Sequence, residues 1–427
     1  MPIVVQKYGG TSVGTVERIQ AVADRVVHAR EQGKDVVVVV SAMGHSTDEL
    51  LAMAREITDL PEPRELDMLL TAGERIAMSL LGIAINARGC RAASYTGSQA
   101  GIITDTQHGA AKIVEIRPKR VLEALGAGTV VVLAGFQGLS SAYEITTLGR
   151  GGSDLTAVAM AGAVGAEVCE ICTDVAGVYT ADPRAVPSAR KIDRVSYDEM
   201  LELAAAGAKV LQARSVEFAR RHGVKLHVRS AFDDEPGTWI EELEEVEERM
   251  GAVTGPEMGH EMGMEGVMIS GVALDAEEAK VTLDRVPDRP GVAATVFKAI
   301  AAEGINIDMI VQNVSHDGAT DLSFTAPRED LPKLRGVLER ITGELGTDRF
   351  TIDDDVSKLS LVGAGMKSHP GVAADMFDAL AGEGINIDMI STSPIRISCV
   401  IRRADGERAL RTVHTRFGLD GEPAGSG

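Results

Sequence analysis

Aromatic side chains are scarce in this chain of 427 residues: they make up 3% of it, with a single tryptophan. Its cores must therefore be filled by aliphatic residues and alanine, within an otherwise ordinary composition of 44% hydrophobic and 25% charged residues. Positive charge is also in short supply. Only 43 basic residues face 63 acidic ones, a formal net charge of −20. That excludes the broad basic footprint needed by a nucleic-acid or anionic-membrane surface. An anionic small substrate stays open, because a local cluster of arginine and lysine overrides the global field. The sequence has no unbroken apolar run long enough to span a bilayer, so no membrane segment is expected. The segment Met1–Lys7 has apolar residues and charge in the wrong order for a secretory signal, and the expected location is cytoplasmic.

Cysteine is nearly absent too, with Cys90, Cys169, Cys172 and Cys399 scattered along the chain. Cys169 and Cys172 have the CxxC spacing, but they sit in the strand-like run Glu167–Thr173, where residues three apart point to opposite faces. With no second such pair and no paired histidines, a buried strand is expected there and no metal site. His45, His108, His222, His227 and His260 fall in no shared pattern, and packing or surface roles are expected for them.

The chain's length calls for two to four domains. Through residue 230 or so, short β-branched runs (Ile3–Gln6, Asp35–Val40, Thr129–Ala134, Val168–Thr173, Lys225–Arg229) alternate with helical patterns (Val16–Arg30, Met68–Arg88, Asp154–Val164, Ser196–Leu203). Such alternation predicts a mostly parallel sheet covered on both faces, with ligands at the carboxyl ends of its strands. The acidic run Glu241–Arg249 then reads as a solvated domain edge, and Gly255–Met264 as a glycine-rich linker rather than a soft-metal site.

The second half of the chain contains a duplication. Asp288–Ile310 and Ser368–Ile390 agree at 16 of 23 positions, from a Pro-Gly turn through a helix to Glu-Gly-Ile-Asn-Ile-Asp. One structural unit is built twice, each copy starting from a strand (Lys280–Arg285, Lys358–Val362) and ending in others (Asp321–Ala326, Ile395–Ile401).

Three segments in the first half carry chemistry. Lys7-Tyr-Gly-Gly-Thr-Ser12 links a strand to a helix, so its glycines can turn backbone N–H groups toward an anion while the lysine adds charge. It is not a P-loop, because GxxxxGK[ST] is missing. Thr146-Thr-Leu-Gly-Arg-Gly-Gly-Ser-Asp154 sets three glycines around one arginine. A helix cap does not need that arrangement, whereas a phosphate and carboxylate site does. Thr173-Asp-Val-Ala-Gly-Val-Tyr-Thr-Ala-Asp-Pro-Arg184 offers acceptors, a ring and a cation in a nucleotide-like mixture; read singly, it is equally a structured loop closed by Asp-Pro-Arg.

Together with Ser41-Ala-Met-Gly44, Leu69–Arg75, Phe136-Gln-Gly138 and Gly207-Ala-Lys-Val-Leu211, these segments resemble the aspartate kinases of the amino-acid kinase superfamily, over residues 1 to about 420. The repeat resembles their paired ACT domains, in the actinobacterial form. The resemblance implies an α/β fold: a three-layer amino-acid kinase domain (1–245) with a mostly parallel central sheet. Next would come a linker (246–264) and two ferredoxin-like βαββαβ ACT domains (265–346 and 347–427), and the strand near 266–274 is open to pairing with the second of these.

It also implies roles. Lys7 would contact the transferring phosphate and Asp154 would orient it. Thr47, Glu74 and Arg150 would hold L-aspartate, Arg150 on a carboxylate and Glu74 near the ammonium. Gly9, Gly10, Ser41, Gly151, Gly152 and Ser153 would line the ATP phosphates. Thr173, Asp174, Tyr179, Asp182, Arg184, Lys209 and Val210 would hold the rest of ATP, with Mg²⁺ bridging phosphate oxygens. The acceptor carboxylate is ionised at neutral pH, so no general base is required. His45-Ser46 departs from the family's usual Asp-Thr, although Thr47 is kept. A superfamily kinase for another acceptor fits the Glu74 and Arg150 segments less well. A non-catalytic amino-acid sensor fits the retained Lys7, Arg150 and Asp154 less well.

Effectors such as lysine and threonine would sit between the Pro-Gly turn of one ACT unit and the Asn-Ile-Asp strand of a partner. The positions concerned are Asp288, Gly291, Val292, Ala293, Asn306, Ile307, Asp308 and Gln312 in the first copy, and Val372, Ala373, Asn386, Ile387, Ser393 and Pro394 in the second. Pro394 stands where the family usually has Glu, removing a charge and a backbone donor. Either feedback is weakened or the proline is simply tolerated. ACT pairing implies a homo-oligomer, and Met250, Met258, Met262 or Met264 stand where an internal start could yield a separate regulatory subunit.

Overall fold

The computed structural model describes residues 1–208, 210–242, 269–313, 318–347, 349–364, 366, 369 and 371–420. The expected linker, with its four methionines and His260, lies outside the described residues. Two compact units divide the chain. Among the described residues, the first comprises 1–178, 191–204 and 210–242, and the second 179–190, 205–208 and the chain from 269 onward.

The first unit is built on an eight-stranded sheet in the order Arg194–Ser196, Thr238–Glu241, Leu226–Ser230, Val168–Thr173, Ile3–Tyr8, Asp35–Val40, Val130–Ala134, Ala92–Tyr95. All neighbours run parallel except Leu226–Ser230 against Thr238–Glu241. The central strands are runs such as Asp-Val-Val-Val-Val-Val, buried at nearly every position because helices cover both faces. Helix α1 (Val16–Glu31) starts at Thr15, whose side chain accepts from the Arg18 N–H, and buries Ile19, Val22 and Val26. Helices α2 (Ser46–Ile57), α3 (Pro63–Ala87) and α4 (Lys119–Gly126) come next. One face of the sheet packs against α1 and α3 through Val22, Val26, Leu81 and Ile85, over Val36, Val38, Val130 and Val132. The other receives α5 (Gly152–Val164), in which every residue from Gly152 to Ala161 is buried. A helix apolar all round has no place except in a core.

At 25 residues, α3 is long and apolar enough by composition to cross a membrane, although Glu74 and Arg75 interrupt it, so it is not an unbroken apolar run. Here it packs on the sheet and buries Asp67, Thr71 and Glu74 on its inner face. Cys169 and Cys172 are buried and free, and burial pushes the Cys172 thiol up to about 12. Glu241 corrects another expectation: it ends a strand, fully buried, paired with Arg194 and lying 3.8 Å from Lys225. A second, four-stranded sheet (Ile113–Ile116, Ile102–Thr104, Gln137–Ser140, Ile145–Thr147) delivers Thr147 to the start of the glycine turn.

The second unit holds two four-stranded antiparallel sheets. In one, the order is Ile310–Gln312, Ala319–Pro327, Glu278–Pro287, Phe350–Asp353, with helices Val292–Ala302 and Leu331–Leu345 completing a βαββαβ run. In the other it is Gly271–Asp275, Val356–Val362, Arg396–Arg402, Met389–Ser393, with helices Val372–Gly382 and Gly406–Arg416. The outer strand Gly271–Asp275 precedes the whole first copy in sequence, so that copy is inserted into the second. Both copies start their first helix from a left-handed glycine after the turn, Gly291 (φ 98°) and Gly371 (φ 118°).

Candidate active site

Parallel register brings four strand ends to one edge of the sheet. Tyr8 lies opposite both Val40 and Cys172, and Val40 lies opposite Ala134. The residues just beyond these strand ends, Gly9 and Gly10, Ser41, Phe136, and Thr173 with Asp174, therefore gather at the carboxyl edge where open α/β sheets bind ligands.

A cleft of about 290 Å³ opens there, lined by Lys7, Gly10, Ser41, Thr47, Glu74, Arg150, Gly151, Gly152, Ser153 and Asp154, with Ala42, Gly44, Phe136 and Gly149. The motif residues assigned to phosphate and aspartate, distant in sequence, thus share one cavity. Gly9 adjoins it: a Cβ there would lie 3.6 Å from Lys7 Nζ.

Lys7 projects from the strand face that α5 covers, and its Nζ stands 2.5 Å from Asp154 Oδ1. Asp154 belongs to the first turn of α5, where the helix dipole favours a carboxylate. Both side chains keep about a tenth of their surface open, 12% and 10%, enough for the ammonium to reach a ligand.

Glu74 comes from the inner face of α3 and is 3% exposed. Its Oε1 accepts from the Ala42 N–H at 3.3 Å, while Oε2 is buried without a hydrogen-bond partner among the described residues. Burial pushes its carboxyl up to about 7, against smaller opposing effects from its backbone hydrogen bonds. A half-satisfied buried carboxylate beside an open cleft is arranged to receive a cation.

The glycines serve the chain's own packing as well as any ligand. A Cβ on Gly151 (φ 70°) would fall 2.0 Å from Gln212 Cγ, and one on Gly10 would fall 2.8 Å from the Ala42 carbonyl oxygen. The sequence alone credits these glycines to phosphate approach. It also gives no role to Phe136, which lines the cleft at a left-handed φ of 69° and whose N–H donates to Thr156 Oγ1. A bulky residue in that region is rare, and the Phe136-Gln-Gly138 motif marks the position without showing its backbone conformation.

The remaining nucleotide residues are placed differently. Thr173 Oγ1 donates to Asp174 Oδ1 at the strand end. Tyr179, Asp182 and Arg184 fall in the second unit. There Asp182 Oδ1 accepts from the Arg184 N–H at 2.9 Å, the side-chain turn that Asp-Pro-Arg favours. Val210 lies in a turn of the first unit, and Lys209 is outside the described residues. The described residues contain no group of three or more His, Cys, Asp or Glu placed to hold a metal ion.

A second cleft, of about 340 Å³, lies in the first repeat and gathers Asp288, Gly291, Val292, Ala293 and Gln312, with Arg289 and Thr320. Asp308 is engaged elsewhere: Lys358 Nζ lies 2.5 Å from its carboxylate and Arg396 at 3.5 Å. In the second copy Asn386 donates to Asp388 Oδ1, and Pro394 is exposed at a strand-to-strand turn.

Comparison with known proteins identifies the family and the fold. The amino acid kinase family model matches residues 2–230, and ACT domain models match residues 280–345 and 359–417. The aspartokinase of Mycolicibacterium smegmatis is 52% identical over 99% of this chain and 97% of its own. That of Corynebacterium glutamicum is 50% identical, with the same coverage of 99% and 97%. The crystal structure of aspartate kinase from Synechocystis is 43% identical, with a TM-score of 0.53 over 100% of this chain and 71% of that one. E. coli aspartokinase III in complex with aspartate and ADP is 24% identical and shares the fold, with a TM-score of 0.80 over 97% and 99% of the two chains. The chain belongs to the aspartokinases, its first half an amino acid kinase domain and its second half a pair of ACT domains.

Proposed function

We propose that the cleft transfers the γ-phosphoryl group of ATP to the side-chain carboxylate of L-aspartate, giving 4-phospho-L-aspartate at the head of the lysine, threonine and methionine branch. The observation that carries this reading is the convergence of Lys7, Asp154, Glu74 and Arg150 on one cavity. The aspartate ammonium pairs with the half-satisfied Glu74, and a carboxylate takes the planar fork of Arg150, with Thr47 beside them. The acceptor oxygen is already anionic, so the site's task is alignment and neutralisation of charge. Lys7, oriented by Asp154, meets the transferring phosphate, while Gly9, Gly10, Ser41, Gly151, Gly152 and Ser153 surround the phosphates.

Thr173, Asp174, Tyr179, Asp182, Arg184, Lys209 and Val210 are proposed as ATP contacts on the strength of their motifs. A Mg²⁺ carried on the nucleotide's own phosphate oxygens suits a cleft whose Asp154 is already paired with Lys7. Bound there, it would neutralise phosphate charge.

The cleft beside Asp288 and Gly291 is the proposed seat of an amino-acid effector, lysine or threonine, at a helix start that favours a carboxylate. Pro394 is proposed to weaken that control. Full inhibition by low lysine plus threonine would contradict this part. Ile310–Gln312 and Met389–Ser393 are edge strands with Ile310 and Ile390 exposed, which supports assembly of a homo-oligomer through the ACT units. A cytoplasmic enzyme is the setting this supply role implies.

Coupled ADP release tests the reading. L-aspartate should drive turnover, and N-acetylglutamate and carbamate should not. Turnover on either of those in place of aspartate would sink it.

A further inference from the structure

Glu74 is not the only carboxylate that α3 buries. Asp67 lies seven residues earlier, two turns along the same inner face, and is 1% exposed. It does not line the cleft. Its partners all come from the two segments that build the turn carrying Arg150. Thr147 Oγ1 donates to Asp67 Oδ1 at 2.5 Å, and His108 Nδ1 meets Oδ2 at 2.7 Å. The Gly109 N–H points between both oxygens, at 3.1 and 3.2 Å. A carboxylate only accepts, so His108 carries its proton on Nδ1.

Each of these contacts leads toward Arg150. Thr147 ends its strand three residues before Arg150, and its carbonyl accepts from the Ala111 N–H at 2.9 Å. The Gly109 carbonyl oxygen would lie 3.1 Å from a Cβ on Gly149, so the 105–112 loop backs directly onto the glycine turn. Arg214 closes the same corner, donating to the Leu148 and Ala111 carbonyls.

We propose that Asp67 is a positioning residue for the acceptor subsite, fixing the Arg150 turn at the distance from Glu74 that L-aspartate spans. This rests on the aspartate-kinase reading of the cleft. Glu74 holds one end of the acceptor, and Asp67 ties the holder of the other end to the same helix. The separation between the two ligand contacts is then set by one rigid element rather than by two loops. A buried carboxylate with three donors and, among the described residues, no lysine or arginine partner is costly, and a turn of this kind alone does not require one.

The test compares Asp67→Asn, Thr147→Val and Thr147→Ser with wild type in steady-state kinetics for both substrates. Asn turns one of the two acceptors into a donor facing donors. Its KM for aspartate should rise about tenfold while the KM for ATP stays within about twofold. Thr147→Val should move the same way by a smaller factor, and Thr147→Ser, which keeps the hydroxyl, should restore the wild-type aspartate KM. If Asp67→Asn does not fold, the Thr147 pair decides alone. Equal changes in both KM values, or a fall in kcat with aspartate KM unmoved, would overturn the proposal. Wild-type enzyme inactive on aspartate would instead overturn the functional reading beneath it.

Discussion

Glu74→Gln should make the protein more stable and the enzyme worse. Burial holds the Glu74 carboxyl near 7 rather than its ordinary 4.5. The folded chain therefore favours the protonated form. The group's contribution to stability is whole below pH 4.5 and is lost as pH rises through 7. At about 1.4 kcal/mol per pH unit, ionised Glu74 costs the fold on the order of 3 kcal/mol at pH 8. Gln carries no charge but leaves amide hydrogens to be satisfied, so the net gain should be about 1–2 kcal/mol. In the proposed role of Glu74, ionisation is also what binds the substrate ammonium. Roughly a tenth of the wild-type enzyme is ionised at pH 6 and roughly nine-tenths at pH 8. The KM for aspartate should thus rise about tenfold from pH 8 to pH 6, with the KM for ATP changing little.

The assay is paired: thermal melts and aspartate kinetics for wild type and Glu74→Gln from pH 5.5 to 8.5. The variant should melt higher at pH 8, and the gap should close toward pH 5.5. Its aspartate KM should be high and flat with pH. A variant that melts lower than wild type at pH 8 would show that ionised Glu74 does not strain the fold, and a wild-type aspartate KM independent of pH would show that its ionisation does not bind the substrate.

Three further outcomes rest on single contacts. Arg150→Lys keeps the charge but loses the planar fork, and the aspartate KM should rise roughly 10- to 100-fold with kcat less affected; an unchanged KM would remove Arg150 from the acceptor site. Gly151→Ala places a Cβ 2.0 Å from Gln212 Cγ at a φ of 70°, so the turn must shift; both KM values should rise and the melting temperature should fall, whereas wild-type kinetics would show the turn is slack. Lys358 is 1% exposed, with Asp308 at 2.5 Å and Glu278 at 3.5 Å. Lys358→Met takes the ammonium from buried Glu278 and leaves Asp308 with Arg396 alone, and should destabilise the ACT half by about 3 kcal/mol, seen as an earlier melting transition; an unshifted melt would contradict it.

The doubly buried strands are legible in the sequence because a sheet covered on both faces needs unbroken β-branched runs, and Asp35–Val40 and Val168–Thr173 are such runs. The pairing of Lys7 with Asp154 is legible only through the resemblance to aspartate kinases, since the residues by themselves show no more than two glycine-rich turns that each open a helix. Other features depend on contacts distant in sequence. Phe136 stands in a family motif, but its left-handed backbone shows only in the fold. Asp67 looks like one more charge in a helix until Thr147, 80 residues later, donates to it. Glu241 reads as part of a solvated acidic run, because nothing local shows that Arg194 lies beside it. The insertion of one repeat within the other is only an open possibility in the sequence, for the strand near 266–274, because it depends on which sheet accepts Gly271–Asp275.

Lys7, held by Asp154, is proposed to neutralise the phosphoryl group moving from ATP to aspartate. Trapping the acyl phosphate with hydroxylamine measures that transfer directly. Wild-type enzyme with ATP and L-aspartate should yield the hydroxamate, and Lys7→Ala should yield it at least about 100-fold more slowly while aspartate still binds within a few-fold of wild type. Hydroxamate formed by Lys7→Ala at near the wild-type rate would remove Lys7 from that role.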